Sequence, residues 1–500
     1  MKRLSTGISA LDAVLGGGLP VGALIMLAGS PGTGKTILAQ QICFSNGTPE
    51  RKAIYYSTIS EPPDKFIAHL EAFDFFDRSA LVERVEFINL GDMLLSDKDG
   101  LASMMNEIVR KCVKENPAIV VVDSAKALRD YSDDSRSLRA AVYQLAARIA
   151  VTDTTLLFVG EYGSEELESA PEFSLADGIF QLVYEAHEPM DRRWLRVRKL
   201  RSSKHLSGKH PFTIGTAGIK LFVRAETLDL ALQSESEPEG RISTGVAGLD
   251  TMTRGGLPSG GSTLVLGPSG CGKTALALRF IVQGLENGER GLYVTFQENP
   301  KQLIHKAASF GWDLNPYVES GQLKLFNVLG GALDLDFIAS VVREELAKGL
   351  LHRMVIDSLA EMVVAARESE RFSFFALSLL GSLRAAGVSV LTTSETSSLG
   401  PTPELIGGLS FLYHNVVLLR YIEQASEVGR AVAILKMRNS DHEKGLWTFA
   451  ITARGFEVGA KLEGVTGLLG WSALVDNESR DGGVLVGGPK PRRRSTPSRK

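Results

Sequence analysis

Along this chain, short runs of consecutive apolar residues alternate with longer stretches in which apolar residues return every three or four positions. In the first half the runs are ALIMLAG (23–29), AIYYSTI (53–59), AIVVVD (118–123) and TLLFVG (155–160). Unbroken aliphatic and β-branched runs of this length predict strands buried on both faces, as in a parallel sheet. Between the last two, RSLRAAVYQLAARIA (136–150) places Leu138, Val142, Leu145 and Ile149 on one helical face. The second half repeats the order with STLVLG (262–267), GLYVTF (291–296), RMVID (353–357) and VSVLTTS (388–394). Strands alternating with helices in this way predict an α/β fold with a mostly parallel, twisted sheet flanked by helices.

The repetition extends to the letters. Residues 3–39 return as residues 241–277 without a gap, with 18 of 37 positions identical. Such a period is far too long for a solenoid and marks a duplicated domain. The boundaries expected from it are a first domain at 1–232, a polar linker QSESEPEG at 233–240 and a second domain at 241–460. Beyond these the apolar pattern decays. Residues 461–500, ending in GGPKPRRRSTPSRK, are expected to be largely disordered.

Composition agrees with two cores rather than one: 500 residues exceed what a single core organises, and 44% hydrophobic with 23% charged residues is ordinary for a globular protein. A formal net charge of −3 argues against nucleic acid as the partner of the chain as a whole. Three cysteines, Cys43, Cys112 and Cys271, are too few and too scattered for a disulfide framework or a four-cysteine zinc site. The glycine-broken N-terminus has no signal-peptide apolar region, and no run reaches the roughly 18 apolar residues of a membrane span, so a cytoplasmic location without membrane attachment is expected. The basic C-terminal tail reads either as a solvated segment or as a binding segment for nucleic acid, acidic lipid or a regulatory protein partner.

Chemistry enters with two phosphate-loop motifs. Gly29, Ser30, Pro31, Gly32, Thr33, Gly34, Lys35 and Thr36 satisfy G-x-x-x-x-G-K-[ST]. So do Gly267, Pro268, Ser269, Gly270, Cys271, Gly272, Lys273 and Thr274. Each follows an apolar strand and opens a helical pattern, the context in which backbone N–H groups and the helix N-terminus cradle phosphates. Lys35 and Lys273 are expected to act on the β- and γ-phosphates of ATP, and Thr36 and Thr274 to place a hydroxyl on Mg²⁺. Asp123 and Asp357 each end an apolar strand, where an aspartate holds the metal directly or through water. Cys271, inside the second loop, is either an oxidation-sensitive thiol or a small residue at a tolerant position.

The doubled leader STG..(A/G)LD....GGLP, the two loops, the strands ending VDS and IDS, and two K-x-R-x3-H segments together resemble the KaiC-like family of the circadian clock ATPase and autokinase. The resemblance covers about residues 1–460. It implies two tandem RecA-like domains per chain, six chains stacked as a double ring, and ATP held between neighbouring subunits. It further implies that Lys199, Arg201 and His205, then Lys436, Arg438 and His442, contact the γ-phosphate from the adjacent subunit. A lysine and an arginine two apart on a strand share a face, which suits that role; the other reading is an exposed, charged edge strand.

The chain departs from the family pattern at two places. Family members carry adjacent glutamates after the second strand, the first acting as base. Here TISEPP (58–63) and TFQENP (295–300) put Ser60 and Gln297 at the first position, leaving Glu61 and Glu298 at the second. Either these two glutamates serve as base or they are solvated carboxylates at strand ends. A general base contributes about 10²–10⁴ in rate, so slow hydrolysis is expected. The family's tandem phosphorylated serine and threonine fall on Ser410 and Phe411, which leaves Ser410 as the candidate phosphoacceptor or as a plain serine entering a strand. The function expected is a slow ATPase signalling its nucleotide state. A DNA-dependent motor of the RecA/RadA type and a nucleotide-gated scaffold without turnover are the rivals.

Overall fold

A computed structural model describes residues 2–58, 63–90, 100–131, 135–163, 165–169, 172–186, 191–227, 240–328, 334–366, 369–396, 411–424, 427–463, 465–466 and 474–475. The linker, except Gly240, and most of 461–500 lie outside the described residues. The chain divides into two compact units. The first gathers Met1–Ser236 with Asn327–Leu351 and Glu361–Ala386; the second gathers Glu237–Phe326, His352–Ala360 and Gly387–Lys500.

The sheet of the first unit contains β1 (Leu24–Gly29), β2 (Ala53–Ser57), β3 (Val85–Asn89), β4 (Ile119–Asp123), β5 (Thr155–Glu161), β6 (Gly178–Glu185), β7 (Arg192–Leu200), β8 (His210–Gly215) and β9 (Gly218–Leu221). Its order is β9-β8-β7-β6-β1-β5-β4-β2-β3. The six strands from β6 to β3 pair in parallel, and β7, β8 and β9 extend the sheet antiparallel. All six residues of β1 are buried, as its unbroken apolar run requires for a strand covered on both faces. Leu138, Val142, Leu145 and Ile149 are all buried on the inner face of the helix Ser135–Ile149, where their spacing placed them.

The second sheet repeats the plan with β10 (Ser262–Gly267), β11 (Arg290–Thr295), β12 (Leu323–Asn327), β13 (Leu351–Asp357), β14 (Ser389–Glu395), β15 (Asn415–Gln424), β16 (Glu427–Met437), β17 (Trp447–Thr452) and β18 (Gly455–Lys461). Its order, β18-β17-β16-β15-β10-β14-β13-β11-β12, matches the first strand for strand. Two mostly parallel nine-stranded sheets with flanking helices are the expected fold class, with an antiparallel wing in each that the apolar runs alone did not announce.

The repeated leader has a physical cause. Asp12 accepts from the Ser5 hydroxyl at 2.6 Å and from the Thr6 N–H and hydroxyl at 2.8 and 2.7 Å. Asp250 does the same for Ser243 and Thr244 at 2.6, 2.8 and 2.6 Å. The serine-threonine pair and the aspartate therefore close one small turn in each copy, which is why they recur together.

In the second unit that turn is tied to the sheet by Arg353, 1% exposed on β13. Its guanidinium pairs with Glu289 through Nε at 2.5 Å and donates from Nη1 to the carbonyls of Ser243 at 2.8 Å and Phe280 at 2.9 Å. Removing one partner of a buried, hydrogen-bonded ion pair leaves the other uncompensated. Arg353→Ala is expected to cost about 3–5 kcal/mol, read as a lower midpoint in denaturant unfolding. Arg353→Lys recovers only part of it, because an ammonium lacks the planar fork.

Candidate nucleotide site

Each phosphate loop bridges the end of a buried strand and the first turn of a helix. Gly34 and Gly272 immediately precede the helices Lys35–Asn46 and Lys273–Glu286 at φ 94° and 109°, a left-handed conformation that favours glycine. Gly29 ends β1 so close to the Leu182 carbonyl that a Cβ would lie 2.2 Å from it. The loops are shaped by backbone needs before any ligand is considered.

Lys35 and Lys273 fold back over their own loops. Lys35 Nζ donates to the Ser30 carbonyl at 2.8 Å, and Lys273 Nζ to the carbonyls of Gly267 and Pro268 at 2.9 and 2.8 Å. Burial lowers the Lys35 pKa, opposed by the charges of Glu161 and Asp123. The next residue in each helix turns toward the strand-end aspartate: Thr36 Oγ1 donates to Asp123 Oδ2 at 2.8 Å, and Thr274 Oγ1 to Asp357 Oδ2 at 2.9 Å. The peptide bonds Asp123–Ser124 and Asp357–Ser358 are both cis.

Several site residues lay beyond sequence reasoning. Tyr55 OH donates to Asp123 Oδ2 at 2.8 Å and Tyr293 OH to Asp357 Oδ2 at 2.9 Å. The signal was present, since a tyrosine stands at the same place in AIYYS and GLYVT. Asp357 gains a further donor, the Thr393 hydroxyl on β14. On β5 the equivalent residue is Val159, next to Asp123 in register. Burial raises the Asp123 pKa, against the hydrogen bonds from Tyr55 and Thr36. Glu161 and Glu395 end the corresponding strands β5 and β14.

In the second unit these groups line a cavity of about 510 Å³ that contains Lys273, Thr274, Gln297, Glu298, Asp357 and Glu395. Glu298 thus faces the same space as the phosphate loop, and it is ion-paired there with Lys306. Cys271 is fully buried, and burial pushes its thiol pKa up. A buried, protonated thiol is a poor nucleophile, so of the two readings the packing role fits.

Glu61 and Ser410 lie outside the described residues. Lys199 and Lys436 sit near the ends of β7 and β16, which are interior strands of their sheets and not edges. Those strands stop at Leu200 and Met437, so Arg201 and Arg438 fall just past them; Ser202 and Asn439, at φ 56° and 55°, then turn the chain. The lysine and arginine of each pair therefore do not lie together on one strand face. Lys436 Nζ donates to the Tyr413 carbonyl at 2.9 Å and Arg438 to that of Phe411 at 2.8 Å. In the first unit Lys199 reaches the Ser174 carbonyl at 3.4 Å, and Arg201 pairs with Asp177 at 3.4 Å. Among the described residues no helix is long and apolar enough to cross a membrane.

Comparison with known proteins agrees with this geometry. A family model described as "ATPase: KaiC" matches residues 4–226 and again 242–463. The "Circadian clock protein KaiC3" of Synechocystis sp. is 27% identical over 498 residues, covering 96% of each chain. The "Circadian clock oscillator protein KaiC" of Picosynechococcus sp. is 28% identical over 467 residues, 91% of this chain and 89% of that protein. That of Parathermosynechococcus lividus is 26% identical over 469 residues, 92% and 85% respectively.

The Thr393–Asp357 contact gives a direct test of what distinguishes the two sites. Thr393→Val keeps the shape and removes the donor, so Mg²⁺-dependent nucleotide binding to the second repeat should weaken roughly fivefold to tenfold, the scale of one hydrogen bond. Nucleotide titration by calorimetry with the first site silenced by Lys35→Ala checks this. Unchanged affinity would show that the hydroxyl does not tune the aspartate.

Proposed function

From the KaiC ATPase family, to which this chain belongs, we propose that both repeats bind Mg·ATP and hydrolyse it slowly at the interfaces of a hexameric double ring. The observation that carries this reading is the duplicated contact between a phosphate-loop threonine and a strand-end aspartate, Thr36 with Asp123 and Thr274 with Asp357. Hydroxyl and carboxylate are the hard oxygen donors that Mg²⁺ takes. Their separations of 2.8 and 2.9 Å suit neighbouring positions of an octahedron whose bonds are about 2.1 Å. Mg²⁺ bound there supplies positive charge to the phosphate oxygens.

Glu298 is assigned the base in the second repeat and Glu61 in the first. In that assignment Glu298 takes the proton of the attacking water as its oxygen bonds to the γ-phosphorus. The bond from that phosphorus to the bridging oxygen breaks, and ADP leaves with the electron pair. Lys273 stabilises the transferred charge, and the neutral Gln297 amide orients the water without accepting its proton.

The trans contacts assigned to Lys199, Arg201 and His205, and to Lys436, Arg438 and His442, make turnover depend on assembly. Supporting this, the Nδ1 atoms of His205 and His442 are buried in both copies without a hydrogen-bond partner among the described atoms. Such groups are costly to leave unpaired, and a phosphate from a neighbour's site is a fitting partner. Autophosphorylation is assigned to Ser410 alone, because Phe411 beside it has no hydroxyl. Phe411 is 56% exposed and its carbonyl accepts from Arg438, so a basic residue already stands next to the acceptor position. The signalling partner is assigned to the basic C-terminal tail and the location to the cytoplasm.

Glu61→Gln and Glu298→Gln are expected to lower ATP turnover by about 10²-fold at their own sites, with the KM for ATP little changed. Unchanged turnover in both would remove these residues from the chemistry. Native mass measured with Mg·ATP should show six chains. Phosphate-affinity gels after incubation with ATP should show one shifted band that Ser410→Ala abolishes.

A further inference from the structure

Lys306 has no counterpart in the motifs that brought this site to notice, yet its ammonium reaches the carboxylate assigned as base. It lies on the helix Pro300–Ser309, lines the same cavity as Lys273 and Asp357, and pairs with Glu298 Oε1. We propose that Lys306 restrains Glu298: a positioning residue that holds the carboxylate as an ion pair and slows its uptake of the water proton. The proposal rests on the assignment of Glu298 as base.

The geometry separates a restraint from a scaffold. The backbone at Glu298 is already fixed without Lys306. The Thr295 hydroxyl accepts the Glu298 N–H at 3.3 Å and donates to the Glu298 carbonyl at 3.0 Å. Directly after it, Asn299 caps the helix, accepting from the Gln302 N–H at 3.0 Å while the Gln302 side chain accepts the Asn299 N–H at 2.9 Å. What Lys306 adds is charge on the carboxylate itself. An oxygen held by the ammonium is one that the attacking water cannot engage until the pair opens. Both side chains are partly exposed, 36% for Lys306 and 28% for Glu298, so the pair is open to competition from a ligand in the cavity.

The first repeat differs at this position. Counting from Thr58 as from Thr295, Glu61 matches Glu298 and His69 matches Lys306. His69 is exposed on the helix Pro63–Leu70. An imidazole is shorter than a lysine side chain and carries its nitrogens in a planar ring rather than as a terminal ammonium. The Lys306–Glu298 pair is thus a feature of the second repeat's own sequence, with histidine at the matching position of the first.

The test uses the full chain carrying Lys35→Ala, so that turnover reports the second site. Lys306→Met is expected to raise kcat roughly threefold to tenfold, a fraction of the range available to a general base, with the KM for ATP within about twofold. Lys306→Arg, which keeps the cation, should return kcat toward that of the parent. Glu298→Gln should lower kcat, and adding Lys306→Met to it should give no rise, because no base is left to release. If Glu298→Gln lowers kcat but Lys306→Met leaves it unchanged or lowers it, the restraint is overturned while the base assignment stands. If Glu298→Gln leaves kcat unchanged, both are overturned.

Discussion

The structure of each site depends on one hydrogen bond, that of the phosphate-loop threonine to the aspartate at the end of a parallel strand. The strand that launches each loop and the strand that ends in the aspartate are not neighbours: β5 lies between β1 and β4, and β14 between β10 and β13. The helix that follows the loop must start at the right height and angle for its second residue to reach across. That requirement explains the left-handed glycine before the helix, the close approach of Gly29 to the Leu182 carbonyl, and the complete burial of the strand that launches the loop. A buried, apolar sheet fixes these oxygens in place, so the cost of ordering them has been met in folding.

On this common scaffold the two repeats are tuned apart. Asp357 takes a hydroxyl from Thr393 where the first copy has Val159, and burial weighs on Asp123 with two donors to oppose it. Ser60 and Gln297 replace the same expected carboxylate in different ways, one with a hydroxyl and the other with an amide. Lys306 stands where the first repeat has His69. Duplication preserved the machinery that shapes the loop, and divergence acted on the groups around the carboxylates. The two repeats share a fold and differ in the side chains around their strand-end aspartates.

Most of the fold was legible in the sequence because parallel strands buried on both faces must be written as unbroken apolar runs. The loops were legible because a phosphate cradle needs glycines at fixed spacing. The antiparallel wings were not, since β7, rich in arginine as RRWLRVRKL, has the look of an exposed edge and is interior to its sheet. Its neighbours cover its backbone while its long side chains run out to solvent, which pattern alone does not reveal. Tyr55, Tyr293, Thr393 and Lys306 were missed for a related reason. Their roles come from neighbours across the sheet or one helix away, and only register and packing bring them to the aspartate or to Glu298. Duplication held the one usable hint, the tyrosine shared by AIYYS and GLYVT.

In the proposed function each chain brings two phosphate loops to nucleotide, each with its own strand-end aspartate. Counting bound nucleotide per chain at saturating Mg·ATP tests it most directly. The account predicts two per chain in the parent, and one in either Lys35→Ala or Lys273→Ala. One nucleotide in the parent, or no loss on either substitution, would contradict it.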